Sequence, residues 1–325
     1  MITFIKGRTP PPALLTLDAA IPRLKPHHPQ IPELRYQVAR YKKGYNGERK
    51  LDYYLKSLDK RFSILNDVTL SVFGKQFQID SLILTGYGNF FVEVKNLEGI
   101  VTFDTDLGQL IQDNGSTLTG QKYPITQAEN IQFHLMRWLQ MHQLDGMPMY
   151  YFIAFSDQRT IIKVNGNEEP VRNLISNVDE IPLRLMRANE KLARGSVENN
   201  QLKNRIIQTV MQNCEELDID ILGKLGVNLN DILPGVRCPA CGKLGMLRTR
   251  YRWHCGKCGN YSRDAHLGAL NDYALIFGNE ITNRQCQDFL GVDRSAAYSL
   301  LKGAAGATLK KDRKVWELDV KKLRG

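Results

Sequence analysis

Three residues carry the clearest chemistry in this chain: Asp80, Glu93 and Lys95. They stand in Gln78-Ile79-Asp80 and Glu93-Val94-Lys95, with twelve residues between the two acids. Side chains alternate along a strand, so Glu93 and Lys95 share one face and Val92 and Val94 the other. Residues 77–84 and 90–95 both have strand patterns, and Thr85-Gly86-Tyr87-Gly88-Asn89 is a turn signal between them. A hairpin folded near Tyr87 sets Asp80 opposite Glu93 or Val94, with facing β-carbons about 4.5–5.5 Å apart. Two carboxylates that close, among Leu82, Ile83, Leu84, Phe90 and Phe91, repel, and one pKa should rise. A divalent cation removes that conflict. Mg²⁺ (or Mn²⁺) takes hard oxygen ligands, through one or two carboxylates plus phosphate oxygens and water. The carbonyl of Val94 is a further candidate ligand. Lys95 could orient or deprotonate a water, or stabilise charge on a phosphate. The pattern is short, and a Lys–carboxylate cluster on an exposed strand face is the alternative.

A second constellation is Cys238-Pro-Ala-Cys241 followed by Cys255-Gly-Lys-Cys258. Four thiolates at this C-x2-C-x13-C-x2-C spacing suit a closed tetrahedral Zn²⁺ site, structural rather than catalytic. This is the spacing of a zinc ribbon. Gly242 and Gly259 follow the two knuckles and permit the positive φ those turns need. A module this small is expected to need its metal to fold. Between the knuckles, residues 247–253 read as β-ribbon. Alternation predicts Arg248, Arg250 and Arg252 on one face, suited to phosphates, with Tyr251 and Trp253 on the other. Cys214 and Cys286 sit in helical apolar patterns and read as small core residues.

The C-terminal tail is basic. From residue 234 onward there are 17 Lys and Arg against 8 Asp and Glu, whereas the first 233 residues hold 27 against 26. Nearly all of the net +10 therefore lies at one end, which points to a polyanion partner. A helix is expected over residues 265–277. Thr282 reads as the N-cap of a short helix ending near Leu290, and Gly291 suits the turn. Asp293 caps a second helix over residues 294–302, which would present Arg294, Ser295, Tyr298 and Lys302. Lys310, Lys311, Arg313 and Lys314 then fall in a basic hairpin. The sequence of elements resembles a winged helix-turn-helix, in which wing lysines meet phosphates and the second helix meets bases.

The elements around the acidic hairpin follow from periodicity. Leu51, Tyr54, Leu55 and Leu58 form a helical stripe. Residues 62–68 and 99–103 read as strands, 124–141 as a helix, and 149–155 and 160–164 as strands. Within this frame five motifs occur in order: residues 44–51 (GYNGERKL), 66–68 (NDV), 78–80 (QID), 91–96 (FVEVKN) and 124–127 (PITQ). Together they resemble the nuclease-related domain, the NERD family, over roughly residues 38 to 155. That family resembles the PD-(D/E)xK restriction-endonuclease fold, a mixed sheet flanked by helices. The resemblance implies a metal-dependent nuclease core with Asp80 and Glu93 as metal ligands and Lys95 as catalytic lysine. It implies that Glu48 holds a metal-bound water and that Gln127 has a supporting role. The proline usual before the first acid is Ile79 here.

Composition sets the outer bounds. The chain has 325 residues, 42% hydrophobic and 24% charged, which excludes wholesale disorder and collagen-like repeats. No run of about 18 apolar residues is present, and the N-terminus lacks a signal-peptide core before its prolines begin. A cytoplasmic protein is expected. The expected fold class is α/β: a restriction-endonuclease-like mixed sheet, a small zinc ribbon and a winged-helix-like domain. Residues 1–36 read as a Pro-rich extended arm, 37–165 as the nuclease-like domain and 166–232 as a helical extension. Residues 233–263 read as the ribbon and 264–325 as the basic domain. The expected function is Mg²⁺-dependent hydrolysis of nucleic-acid phosphodiesters, most directly of DNA, with a homodimer as one possible assembly. The alternative is a nucleic-acid-binding or regulatory protein whose nuclease-like domain is inactive.

Overall fold

The computed structural model describes residues 3–215, 219–304, 306–310, 312 and 314–323. In chain order the elements are β1 (Thr3–Lys6), α1 (Pro12–Ala20), α2 (Ile31–Leu55), β2 (Ser63–Val72), β3 (Lys75–Leu84), β4 (Asn89–Lys95), β5 (Ile100–Asp104), β6 (Gln109–Asp113), β7 (Leu118–Gln121), α3 (Pro124–Met141), β8 (Met149–Phe155), β9 (Ile161–Asn165), α4 (Glu169–Leu174), β10 (Ile175–Asn177), α5 (Ile181–Ala193), α6 (Asn200–Asn213) and α7 (Ile221–Lys224). Then follow β11 (Leu247–Thr249), β12 (Arg252–His254), β13 (Tyr261–Ser262), α8 (Ala265–Phe277), β14 (Glu280–Thr282), α9 (Asn283–Leu290), α10 (Arg294–Gly303), β15 (Ala307–Lys310), β16 (Val315–Leu318) and α11 (Val320–Leu323). The chain divides into two compact units: Met1–Pro10 with Lys42–Leu217, and Pro11–Tyr41 with Asp218–Gly325.

The first unit is built on a six-stranded mixed sheet in the order β1-β2-β3-β4-β8-β10. β2, β3 and β4 run antiparallel, whereas β4, β8 and β10 run parallel. Both faces of the sheet are covered, as its apolar strands require. Ile131, Leu135 and Trp138 of α3 and Ile206 and Val210 of α6 pack on one face, against Phe91, Ile153 and Phe155. Leu51 and Leu55 of α2 and Ile181 and Leu185 of α5 pack on the other, against Ile83, Phe90, Val92 and Phe152. A second sheet, β7-β6-β5-β9, stands apart from the first in its hydrogen bonding. Its strands β6 and β7, and β10 of the main sheet, were not foreseen. They are only three to five residues long, and β7 is exposed along its length, so no apolar alternation marks them.

The second unit joins the cysteine module to the basic tail. Val236, Met246 and Trp253 of the module share one buried cluster with Leu270, Tyr273, Phe289, Leu300 and Trp316. Residues 11–41 belong here too: Leu17 and Leu34 are buried with Ile221, Val227 and Ile276. Arg23 is fully buried, paired with Asp272 and set over the Phe289 ring.

The Pro-rich segment is therefore not an extended arm. It holds β1, α1 and the first turns of α2. Pro12 opens α1, and Pro32 lies in the first turn of α2, where a missing N–H breaks no helical bond. α2 also starts well before Tyr45 and runs through Gly44 and Gly47. Gly47 is needed on packing grounds, because a β-carbon there would lie 2.6 Å from Ser156 Oγ and 2.8 Å from Asn96 Cβ. Among the described residues, no helix is long and apolar enough to cross a membrane.

Candidate functional site: an acidic strand end and a four-cysteine centre

The ladder between β3 and β4 runs from Leu84↔Asn89 to Ser81↔Val92. Continuing that register sets Asp80 against Glu93. The strands part at this point, and the Asp80 carboxylate takes over a backbone partner: the N–H of Val94 donates to Oδ2 at 2.8 Å. Asp80 is thereby fixed over β4 one residue past Glu93. Glu93 is buried at 5% exposure, on the α3 side of the sheet. Lys95 Nζ donates to Glu93 Oε1 at 2.8 Å and to Gln127 Oε1 at 2.7 Å. The amide of Gln127, in the first turn of α3, donates to the same Glu93 oxygen at 2.6 Å. Glu93, Lys95 and Gln127 are thus joined directly, and Asp80 lies close enough for the Glu93 charge to act on it.

Glu48 reaches the same patch from α2, but it is already engaged. Arg8 Nη1 donates to Glu48 Oε2 at 2.9 Å and to Asp67 Oδ1 at 2.6 Å. The same guanidinium grips both oxygens of Asp52, at 2.9 and 3.1 Å, and donates to Ser81 Oγ at 2.8 Å. Its side chain is 2% exposed. Sequence reasoning missed Arg8 and Asp52, and it held Asp67 only as part of the motif at residues 66–68, with no role assigned. Arg8 lies in an irregular Pro-rich stretch, and no spacing rule links it to residues 40 to 73 positions away.

Burial, and then the neighbouring Glu93 and Glu48 charges, raise the Asp80 pKa well above the usual carboxylate range. Burial also raises Glu48, with the Asp67 charge adding to the rise and Arg8 opposing it. The patch thus gathers carboxyl groups that resist ionising together unless a cation joins them. Hard carboxylate oxygens in such surroundings fit Mg²⁺ or Mn²⁺. Nearby, beyond the carboxyl ends of β8 and β10, a cavity of about 470 Å³ is lined by Lys50, Tyr53, Tyr54 and Arg159, among others. Ser156, also on its wall, donates its N–H to the Lys95 carbonyl at 2.9 Å.

Residues 43–156 match the family model of the nuclease-related domain, NERD. Among curated proteins and among solved structures, none matches the chain. The matched segment contains Glu48, Asp80, Glu93, Lys95 and Gln127, while Arg8 enters from outside it. A nuclease-like domain implies a divalent metal and an interaction with nucleic acid.

The four cysteines belong to the second unit. Their sulfurs all lie within 4.8 Å of one another. Cys238 and Cys258 are 3.6 Å apart, and Cys241 and Cys255 3.7 Å. A tetrahedron with Zn–S near 2.3 Å has edges of about 3.8 Å, so the donor set fits zinc. The two knuckles are copies: the Gly242 N–H donates to the Cys238 carbonyl and the Gly259 N–H to the Cys255 carbonyl, each at 2.9 Å. Gly242 has φ 69° and Gly259 φ 70°, the left-handed turn that glycine adopts without strain. Backbone N–H groups of Cys241 and Ala240 lower the Cys238 pKa to about 6, which favours the thiolate a metal needs.

The arginine face expected on the ribbon is not formed. A two-residue turn at Arg250 and Tyr251 separates β11 from β12, with Thr249 paired to Arg252. The turn breaks the alternation, so Arg248 pairs with Trp253 and its guanidinium lies 5.3 Å from that ring's centre. Arg250 and Arg252 remain exposed at the tip. His266 stacks on the other partner of this group, Trp253, whose Nε1 donates to His266 Nδ1 at 3.4 Å.

In the tail, Thr282 caps α9 within a capping box completed by Gln285, and Gly291 ends it at φ 69°. Asp293 caps α10 through the N–H groups of Ser295 and Ala296. Arg294, Ser295, Tyr298 and Lys302 are exposed on α10, although the Ser295 hydroxyl is bonded to Asp293 and the Tyr298 ring packs on Trp316. β14, β16 and β15 form an antiparallel sheet in that order. Lys310 is paired with Glu317 at 2.7 Å, and Lys314 is exposed. Lys311 and Arg313 lie outside the described residues.

Proposed function

We propose that this protein is a metal-dependent nuclease that hydrolyses phosphodiester bonds, most directly in DNA. The observation that carries the proposal is the Lys95–Glu93–Gln127 network beside Asp80, inside a segment that matches a nuclease-related domain. In this reading Asp80 and Glu93 hold Mg²⁺ or Mn²⁺, with the Val94 carbonyl as a further ligand. When bound, the cation supplies an acidified water and neutralises charge on the phosphate. Two of the three Lys95 donors are taken by Glu93 and Gln127, and the third is left for a phosphate oxygen or the attacking water. Glu48 Oε2 is taken by Arg8, and its other oxygen would accept from a water on the cation. Gln127 holds Lys95 in place.

The labour divides along the chain. Within the first unit, residues 42–165 perform the chemistry together with Arg8, and the helices that follow, up to residue 213, support it. The ribbon (233–263) carries structural Zn²⁺, and with 264–325 it binds nucleic acid. Arg250 and Arg252 at the ribbon tip, Arg294, Ser295, Tyr298 and Lys302 on α10, and Lys310 and Lys314 on the hairpin contact phosphates or bases, as in a winged helix-turn-helix. Arg248 supports this surface through its stack on Trp253.

The second reading, an inactive nuclease-like domain in a nucleic-acid-binding protein, has one observation in its favour. Among the described residues, no group of three or more carboxylates is placed to hold one ion, and Glu48 is turned to Arg8. Labelled supercoiled, linear and single-stranded DNA and RNA, with Mg²⁺, Mn²⁺ or EDTA, separate the two. Cutting that needs metal and Lys95 supports the nuclease. Salt-sensitive binding without cutting supports the alternative.

A further inference from the structure

The feature that neither the family match nor the spacing of the acids explains is Arg8. It brings a permanent positive charge, almost wholly shielded from water, to a point shared by Glu48, Asp52 and Asp67. Nuclease sites that use two cations hold them about 3.5–4 Å apart on a shared set of carboxylates. Here the carboxylates available to a second ion are the ones Arg8 occupies: both oxygens of Asp52, one of Glu48 and one of Asp67. β1 anchors the arrangement. It pairs with β2, and Lys6 Nζ donates to the carbonyls of Asn66 and Asp67 at 2.8 and 2.9 Å.

We infer that Arg8 is a built-in substitute for a second metal ion, so that the nuclease-related domain takes a single divalent cation, between Asp80 and Glu93. Arginine suits the role because its guanidinium stays charged and binds several carboxylates at fixed angles. Arg8 is thus a positioning residue: it holds Glu48 beside the metal as a water acceptor and excludes it as a ligand of a second ion.

The inference rests on the metal-nuclease reading above, and one experiment separates their failures. Full-length, zinc-loaded protein is titrated with Mn²⁺, and bound ions are counted by calorimetry and electron paramagnetic resonance. Wild type is expected to bind one Mn²⁺, lost in Asp80→Asn. Arg8→Met is expected to bind two, with the dipolar broadening of a close pair. Adding Glu48→Gln to Arg8→Met returns the count to one. Two ions in wild type, or one in a folded Arg8→Met, overturns the role of Arg8 and leaves the nuclease reading standing. No Mn²⁺ in wild type overturns both. Should Arg8→Met not fold, the wild-type count at saturating Mn²⁺ decides the matter alone: one ion supports the inference, and two overturn it.

Discussion

Lys95 Nζ and Glu93 Oε1 lie 2.8 Å apart, two residues removed on one strand and on the same face of it. The pair is only partly sheltered on the lysine side, at 18% exposure, against 6% for the glutamate. The ammonium is therefore open to a substrate while its geometry is set from within. Lys95→Ala should lower cleavage by at least about 100-fold, the usual size for loss of one aimed electrostatic donor. Gln127→Ala should cost less, roughly 10-fold, because the ion pair to Glu93 persists. Single-turnover rates at saturating Mg²⁺ check both, with circular dichroism to show that the variants fold.

Zinc should be required by the second unit as a whole, because the ribbon and the tail share one core. Metal analysis of the purified protein is expected to give one zinc per chain, and none in Cys238→Ser with Cys255→Ser. Stripping it should expose Trp253 and loosen α8 to α10, seen as faster amide exchange there. Exchange in β3 and β4 of the first unit should be unchanged. Protection of α8 retained in the stripped protein would contradict this.

His266 predicts an acid limb in the stability of the second unit. Burial, with the nearby Arg248 charge, lowers its pKa to about 4, against about 6.5 in an unfolded chain. Between these values the unfolded state binds the extra proton, so stability rises with pH across the window. The contribution is fully present above pH 6.5 and lost as pH falls through 4. It amounts to about 3 kcal/mol. His266→Gln should flatten this limb in urea titrations at fixed excess zinc, and an unchanged slope would remove His266 as its cause.

Exposed and stacked arginines should separate in salt dependence. Arg252→Gln and Lys302→Gln should each reduce the slope of log K against log salt by up to about 1 if each meets a phosphate. Arg248→Gln should instead act through folding, because its guanidinium is committed to the Trp253 ring. It should lower the melting temperature and change the salt slope little. Fluorescence anisotropy on a labelled duplex at several salt concentrations provides the slopes.

The parts legible in the sequence are those set by short-range geometry. A strand alternates every residue, so Glu93 and Lys95 had to share a face whatever lay around them. A knuckle closes within a few residues, so the four cysteines declared their centre by spacing alone. Thr282, Gly291 and Asp293 terminate helices through bonds no more than four residues long, and they do so in the structure. The approximate span of the nuclease-related domain was legible for the same reason, as ordered local motifs.

Tertiary structure decided what depends on distant parts of the chain meeting. Arg8 finds Asp52, Asp67 and Ser81 across 44, 59 and 73 residues. Gln127 meets Lys95 across 32, because α3 packs on the face of the sheet to which β4 sends its charged residues. The Pro-rich segment becomes helix because its prolines sit where helices begin and its leucines find a core. Arg248 left its expected face because a turn, not a continuous strand, occupies Arg250 and Tyr251. Which charges stay buried, and what balances them, is a property of packing in three dimensions, and no spacing rule along the chain carries it.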